Sequence, residues 1–383
     1  MKTRTIIIGS GAIGLGIAWE LSRRGDQVTL LERNQTVKLG TSWSASGILP
    51  AANLETATDP LDQLRGLSHR LFPEWIAELQ SVTGVDSGYR RCGGWYLADT
   101  PGEHASMVGI TQYWNELSIQ CESVSLEDLA DRERALRPNS QRTTTAWFVP
   151  DECQVRPPDY LRALHLACQA GGVETITDAA VSDLRWGPRS AAVHVRGRWI
   201  EGDRAVVCGG AWSGSVADRL RLQSSIVPVR GQILLLKTES PLLKSVVNVG
   251  HRYLVCRDDG HTLVGSCEEE VGFQEGTTEA VLSSLAEFAT GLVPELAQAT
   301  RADSWSGFRP MTFDGFPMIG RLPNADNVFV AAGHFRSGIH LSPATAVVLA
   351  DAINGDTPAV DIESFSVGKQ QSANTVSAAD LHA

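Results

Sequence analysis

Apolar residues come along this chain in short runs parted by glycine-rich turns, and the first of these sets the reading. Thr5 to Ile8 is a β-branched run of strand type that leads into Gly9-Ser10-Gly11-Ala12-Ile13-Gly14. A helical pattern follows over Leu15 to Arg24, Gly25 closes it, and a second apolar run, Val28 to Leu31, finishes on Glu32. Strand, glycine turn, helix, strand and terminal acid are what a dinucleotide-binding βαβ unit requires. There the first glycine permits the tight turn, the second lets the backbone approach a pyrophosphate, and the third lets the helix pack against the strand. The helix N-terminus offers free N–H groups and a positive dipole end to the phosphates, while the acid accepts hydrogen bonds from ribose hydroxyls. The bland alternative is a glycine-rich helix start, and the fingerprint alone does not separate NAD from FAD.

Farther along, Leu61 to Gln80 and Pro158 to Ala170 read as helices, the second closed by Gly171-Gly172. Gly93 to Ala98, Thr144 to Val149 and Arg204 to Cys208 read as strands, the last running into a further glycine cluster at 209–214. Val227 to Leu236, Tyr253 to Cys256 and Thr262 to Gly265 alternate as strands of an antiparallel sheet do. Asp303 to Gly307 is a short strand before the turn Asp314-Gly315-Phe316-Pro317. Asn327 to Ala332 is a strand leading into Gly333-His334-Phe335-Arg336-Ser337-Gly338, and Pro343 to Ile353 is a helix. The tail after Asp361 is polar and reads as loose. No internal repeat or low-complexity segment is visible.

Length and composition bound the rest. With 383 residues, 43% of them hydrophobic, the chain can bury a sizeable core and suggests two domains or one large one. Its 33 basic and 44 acidic residues give a formal net charge of −11, which argues against a nucleic-acid or anionic-membrane binder. No apolar run approaches the roughly 20 residues that span a bilayer. Seven dispersed cysteines, odd in number and without a CxxC pair, suit a reduced, cytoplasmic location. The basic and apolar start has the look of a secretory signal, but the glycine spacing explains it better and no small-residue cleavage site follows cleanly.

Six segments then occur in one order over nearly the whole chain: GSGAIG at 9–14, LLERN at 30–34, TSWSASGILP at 41–50, AVVCGGAWSG at 205–214, GFRPMTFDGFPMIGR at 307–321 and NVFVAAGHFRSGIHLSPATA at 327–346. Together they resemble the D-amino-acid oxidase superfamily of flavoproteins, and within it the glycine oxidase family. The stretch around Arg309 is shared with D-amino-acid dehydrogenases and sarcosine oxidase-like enzymes, so it places only the superfamily. The segment GHFRSGIHLSPATA is more selective, because it supplies Arg336, which the dehydrogenase-type pattern lacks. No cysteine stands in a context resembling the covalent flavin attachment of monomeric sarcosine oxidases, so the resemblance implies non-covalent FAD.

The fold implied is α/β. A Rossmann-type FAD-binding domain over 1–85, 145–225 and 305–365 is interleaved with a substrate domain over 86–144 and 226–304, built on a mostly antiparallel sheet, and 366–383 forms a loose tail. For the substrate, the resemblance assigns Arg309 to the carboxylate, a task a planar guanidinium performs through two parallel charge-assisted hydrogen bonds. Tyr253 helps orient that carboxylate, and Arg336 is a second pocket arginine. His251, two residues before Tyr253 and so on the same strand face, lies near the pocket. A surface salt bridge, a satisfied core tyrosine and simple packing are the ordinary alternatives for Arg309, Tyr253 and His251.

For FAD, Gly9, Gly11, Ala12, Ile13, Gly14, Glu32 and Arg33 fall to the pyrophosphate and ribose. Thr41, Ser42, Ser46, Gly47 and Ile48 fall to the ribityl chain and ring, with ordinary turn chemistry as their alternative. Val181 falls to the adenine. Gly333, His334, Phe335, Arg336, Ser337, Gly338, Ile339 and His340 fall to the flavin ring, where the helix beginning near Ser342 aims its positive end at the pyrimidine that gathers negative charge on reduction. One departure from the pattern is visible: Trp43 and Ser44 stand in a loop that usually carries small residues, and Trp43 is bulky. Glu268 puts an acid where pocket residues are expected, bearing on substrate preference in a direction the sequence does not give.

The reaction implied is oxidative deamination of glycine or a related small amine, sarcosine or D-alanine, to the 2-oxo acid, ammonia and hydrogen peroxide. Hydride passes from the α-carbon to flavin N5, water hydrolyses the imine, and molecular oxygen reoxidises the flavin. If the amine binds neutral no side chain need take the α-proton, so catalysis rests on positioning and electrostatics. Neither a catalytic side chain nor a metal ligand is assigned. The family's known use of the imine is thiazole formation for thiamine. Three alternatives stand beside this: a D-amino-acid or N-methyl-amino-acid dehydrogenase with a quinone acceptor, an NAD-dependent dehydrogenase, and a flavin-binding module without turnover. The resemblance admits a homo-oligomer, and nothing in the chain decides the oligomeric state.

Overall fold

The computed structural model describes residues 2–36 and 40–368. Its first sheet has six strands in the order Met318–Arg321, Val328–Ala332, Arg204–Val207, Arg4–Ile8, Gln27–Leu31 and Glu174–Ile176. All neighbours pair in parallel except Met318–Arg321, which is antiparallel at the edge. Parallel strands are covered on both faces and so read as continuous apolar runs. Ile7, Leu30 and Val206 point into a core shared with the helices, while Ile6, Ile8 and Val207 point into a second core on the other face. On the helical face, Ala12–Arg23 packs against Pro157–Ala170 and Ser342–Asn354, with Pro60–Thr83 alongside. On the other face lies a three-stranded meander, Val181–Gly187, Ser190–Val195 and Arg198–Gly202.

Local chemistry places the helix ends. Asp59 caps Pro60–Thr83 by accepting from the Leu61 and Asp62 N–H groups, and Gly84 closes it at φ +69°. The first helix starts at Ala12, inside the glycine fingerprint, three residues ahead of the expected Leu15. Its opening residues, Ala12-Ile13-Gly14, hold one large apolar side chain between two small residues inside the glycine turn, too few to show an apolar periodicity.

The second sheet has eight strands in the order Thr300–Thr312, Ile226–Lys237, His261–Gly265, Arg252–Cys256, Val246–Val249, Gly94–Leu97, Ala146–Val149 and Glu122–Val124. Every pairing is antiparallel except that of Val246–Val249 with Gly94–Leu97. Helix Glu279–Leu292 covers one face, inserting Leu282, Leu285 and Ala289 among Leu234, Leu254 and Val264. The short strand expected at Asp303 to Gly307 is the middle of a 13-residue strand, so Arg309 sits within the sheet and not between strand and turn. Ala146–Val149 also belongs to this sheet, although it falls in the stretch 145–225 expected to accompany the parallel one. Packing continues beyond Asp361: Phe365 is fully buried and Val367 is 6% exposed, so the expected loose tail begins no earlier than Gly368. Its remainder, 369–383, lies outside the described residues. Among the described residues no helix is long and apolar enough to cross a membrane.

Candidate functional site

A cavity of about 540 Å³ opens at the carboxyl ends of the parallel strands, bounded there by Ile8, Leu31, Cys208 and Ala332, and reaches the antiparallel sheet at Ile233, Tyr253 and Arg309. Ligands of open α/β sheets bind outside those carboxyl ends.

Gly9 has φ +108°, and a Cβ there would collide with the Cys208 carbonyl; a Cβ on Gly14 would strike the Gly9 carbonyl. The first glycine thus makes the turn and the third seats the helix, so Gly14 serves from behind the wall. Gly11 caps the helix with no side-chain hydrogen bond, and Ser42 Oγ accepts from the Ala12 N–H at 3.0 Å, which brings the 41–46 loop to the helix N-terminus. Glu32 is buried at the cavity wall, accepting from the Ser10 N–H (3.1 Å), the Ser10 hydroxyl and the Asn34 N–H (2.8 Å). The Arg33 guanidinium stacks 3.6 Å from the Trp212 ring centroid, and burial lowers its pKa from the ordinary arginine value. Val181 completes this end of the wall. A helix N-terminus beside a fixed carboxylate matches the phosphates and ribose of a dinucleotide.

All of Gly333 to His340 lines the middle of the cavity. His334 is buried, shares a 3.1 Å hydrogen bond with Thr345 Oγ1, and has its pKa pushed down to about 3 by that burial, so it is neutral. Phe335 takes φ +44°, an outlier for a bulky residue, and its N–H donates to the Pro310 carbonyl. Nε2 of His340 is buried without a hydrogen-bond partner among the described residues, and its ring packs against His69 and Phe72 of the Pro60–Thr83 helix. The Ser342–Asn354 helix starts directly after this segment.

At the far end the pairings of the antiparallel sheet align Tyr96, Asn248, Tyr253, Gly265, Ile233 and Trp305, one from each of six adjacent strands. Side chains two apart on a strand share a face, so Gly307 and Arg309 join Trp305. Arg309 donates from Nη1 to the Cys267 carbonyl (2.9 Å) and from Nη2 to Ser266 Oγ (2.8 Å). A Cβ on Gly231 would collide with that guanidinium, and one on Gly265 with the Tyr253 phenol. Two absent side chains therefore leave the space in which Arg309 and Tyr253 lie. Arg336 Nη1 is 3.2 Å from Glu268 Oε1, and Arg309 Nη1 is 4.0 Å from the same atom. Behind the row, fully buried Glu152 accepts from the Tyr96 hydroxyl and from Asn248 Nδ2 (3.0 Å). Burial raises its pKa to about 7 against the opposing hydrogen bonds.

The expected residues therefore converge with few exceptions. Ala12, Gly14, Gly47 and His251 do not line the cavity. A Cβ on Gly47 would hit the Val155 carbonyl, so this glycine makes room for protein. His251 lies in an exposed turn ahead of Arg252–Cys256, off the strand face it was expected to share with Tyr253, and only its carbonyl reaches Arg336 (Nη2, 3.4 Å). Trp43 turns away from the wall onto Trp305, edge to face at 5.4 Å. Tyr96, Asn248, Ile233 and Ser266 were not anticipated. Their signal is strand pairing, which alternation along a single strand does not reveal.

Residues 4–352 match the family described as DAO, FAD dependent oxidoreductase. The chain is 30% identical over 362 residues to the glycine oxidase of Geobacillus kaustophilus, covering 94% of this chain and 95% of that protein. It is 30% identical over 368 residues to the bifunctional protein ThiO/ThiG of Trichormus variabilis, covering 92% of this chain and 53% of that one. The crystal structure of the Geobacillus kaustophilus glycine oxidase superposes with a TM-score of 0.90 at 29% identity, covering 97% of this chain and all of that one. With a helix N-terminus, the buried acid Glu32 and the 333–340 segment brought to one cavity, and with the family match over residues 4–352, the chain belongs to the DAO family of FAD-dependent oxidoreductases.

Proposed function

We propose that this protein oxidises glycine, or a related small amine such as sarcosine or D-alanine, to the 2-oxo acid, hydrogen peroxide and the freed amine (ammonia from glycine and D-alanine, methylamine from sarcosine), using non-covalent FAD, molecular oxygen and water. The observation that carries this reading is Arg309: its guanidinium, 14% exposed, stands at the sheet end of the cavity, braced by the Cys267 carbonyl and the Ser266 hydroxyl. The likeness to glycine oxidases supports the substrate class, and the likeness to the ThiO/ThiG protein supports a role in supplying thiazole synthesis for thiamine.

Bound FAD supplies the hydride acceptor at N5 and passes the electrons to oxygen. The chain's own residues do the rest. Arg309 keeps N–H groups beyond the two already engaged and clamps the substrate carboxylate with them. Tyr253 presents its phenol from the neighbouring row and orients the same group. Neutral His334, tied to Thr345, shapes the wall without adding charge. The N-terminus of Ser342–Asn354 contributes a positive dipole end beside the 333–340 segment. The 9–14 turn and Glu32 hold the pyrophosphate and ribose.

The two sheets support an interleaved pair of domains, one for FAD and one for substrate. The cysteines among the described residues are all free, which supports a reducing, cytoplasmic location. The decisive experiment is anaerobic mixing of the purified holoenzyme with glycine, sarcosine and D-alanine while following flavin absorbance. Bleaching by at least one is expected; a flavin that none of them bleaches refutes the reading.

A further inference from the structure

We propose that Glu268 sets the charge at the carboxylate end of the cavity and so confines the substrate to amines that carry a single carboxylate. This rests on the amine-oxidising reading above and names the substrate class within it.

Two guanidinium groups, Arg309 and Arg336, line this end of the cavity. Alone they would form a doubly positive site, complementary to a dicarboxylate. One Glu268 oxygen lies 3.2 Å from Arg336 and 4.0 Å from Arg309, so the acid is shared between them and sits closer to Arg336. The cluster then carries one net positive charge. The neighbouring acid does not join it: Glu269 gives both oxygens to Arg230, each at 3.0 Å, and accepts from Gln232 at 2.8 Å. His251 turns its carbonyl, not its ring, to Arg336.

The consequence is asymmetric. A single carboxylate takes Arg309, whose partners are a carbonyl and a hydroxyl, both neutral. A second carboxylate would need Arg336 and would meet Glu268 already paired there, like charge against like. Glu268 does not itself line the cavity, and its side chain is 32% exposed, so it acts as a charge beside the site and not as a wall that blocks it.

The test compares the wild-type holoenzyme with Glu268→Gln and with the charge-retaining Glu268→Asp. Acetate and malonate, which do not react, are titrated against the absorbance of the bound flavin; D-alanine and D-aspartate, which differ by one carboxylate, are compared as reductants without oxygen. Glu268→Gln is expected to raise the malonate-to-acetate affinity ratio, and the D-aspartate-to-D-alanine reduction ratio, by about tenfold or more, while Glu268→Asp stays near wild type. Ratios within twofold of wild type in Glu268→Gln, or a wild type that already prefers malonate, overturn the proposal. Should the binding ratio shift while no amine reduces either enzyme, the charge role stands and the amine-oxidising reading falls. Should amines reduce both enzymes with unchanged ratios, only the Glu268 proposal falls.

Discussion

Replacing Arg309 with alanine removes the proposed carboxylate clamp and tests it directly. Truncating one partner of a buried, hydrogen-bonded charge pair costs about 2–5 kcal/mol, and unit charges about 4 Å apart at an effective dielectric near 20 interact by about 4 kcal/mol. Arg309 is only 14% exposed, so screening trims this little. Its loss also leaves Arg336 paired with Glu268 and the cavity end without net positive charge. We therefore expect a loss of about 3–4 kcal/mol, roughly a 100- to 1,000-fold rise in the Kd for acetate and in half-saturation by glycine. Flavin absorbance reads both, without oxygen for the reductive titration. Arg309→Lys keeps the charge but not the fork and should fall between. The variant also frees the Cys267 carbonyl and the Ser266 hydroxyl, so flavin content and Tm must be shown to hold. A variant that retains FAD and binds both ligands within threefold of wild type refutes the clamp and leaves Arg309 a structural brace.

Glu152→Gln addresses the buried acid. Burial raises the folded pKa of Glu152 from an ordinary 4.5 to about 7, so the stability it contributes is complete below about pH 4.5 and is lost as pH rises through 7. Between about pH 5 and 8 the wild type should lose on the order of 3 kcal/mol relative to the variant; parallel Tm profiles would contradict this. Gly231→Ala pushes a methyl group into the Arg309 guanidinium, so the KM for glycine should rise about tenfold or more with flavin content unchanged; an unaltered KM would show that the arginine can shift freely. Glu32→Gln removes the charged ribose acceptor and should weaken FAD binding by about tenfold or more, read as flavin fluorescence on dilution; an unchanged Kd would remove Glu32 from that role.

The cofactor end was legible because it is written in consecutive residues. Positions 9, 11, 14 and 32 report one turn, one helix and one strand end; Gly9 and Gly14 each answer to a backbone carbonyl, and Gly11 to the Ser42 hydroxyl. The start of the helix at Ala12 was missed because Ala12-Ile13-Gly14 lies inside the glycine turn and offers a single large apolar side chain, too little to show a period. The substrate end is assembled from distant segments. Tyr96 and Asn248 meet through a parallel pairing that no local periodicity encodes, and Glu152 reaches both from a third segment. His251 was misplaced because the strand starts one residue later, after the turn at Gly250, whose φ is +55°. Arg309 was found by its motif, yet its strand was read short at both ends: residues 300–302 are exposed and carry no apolar run, and beyond Gly307 Pro310 interrupts the strand pattern.

The aligned row from Tyr96 to Trp305 also works as a ruler. Each step along it crosses one inter-strand gap, about 4.8 Å, so the four of its positions that line the cavity, 96, 248, 253 and 233, are spaced by whole multiples of that step. Changing side-chain size at one position widens or narrows the wall at a single tick while leaving the cofactor end untouched. The same regularity is a liability: a one-residue slip in any of these pairings would turn part of the wall to the opposite face. The pocket can thus be recut locally through its side chains, whereas its backbone register admits no partial adjustment.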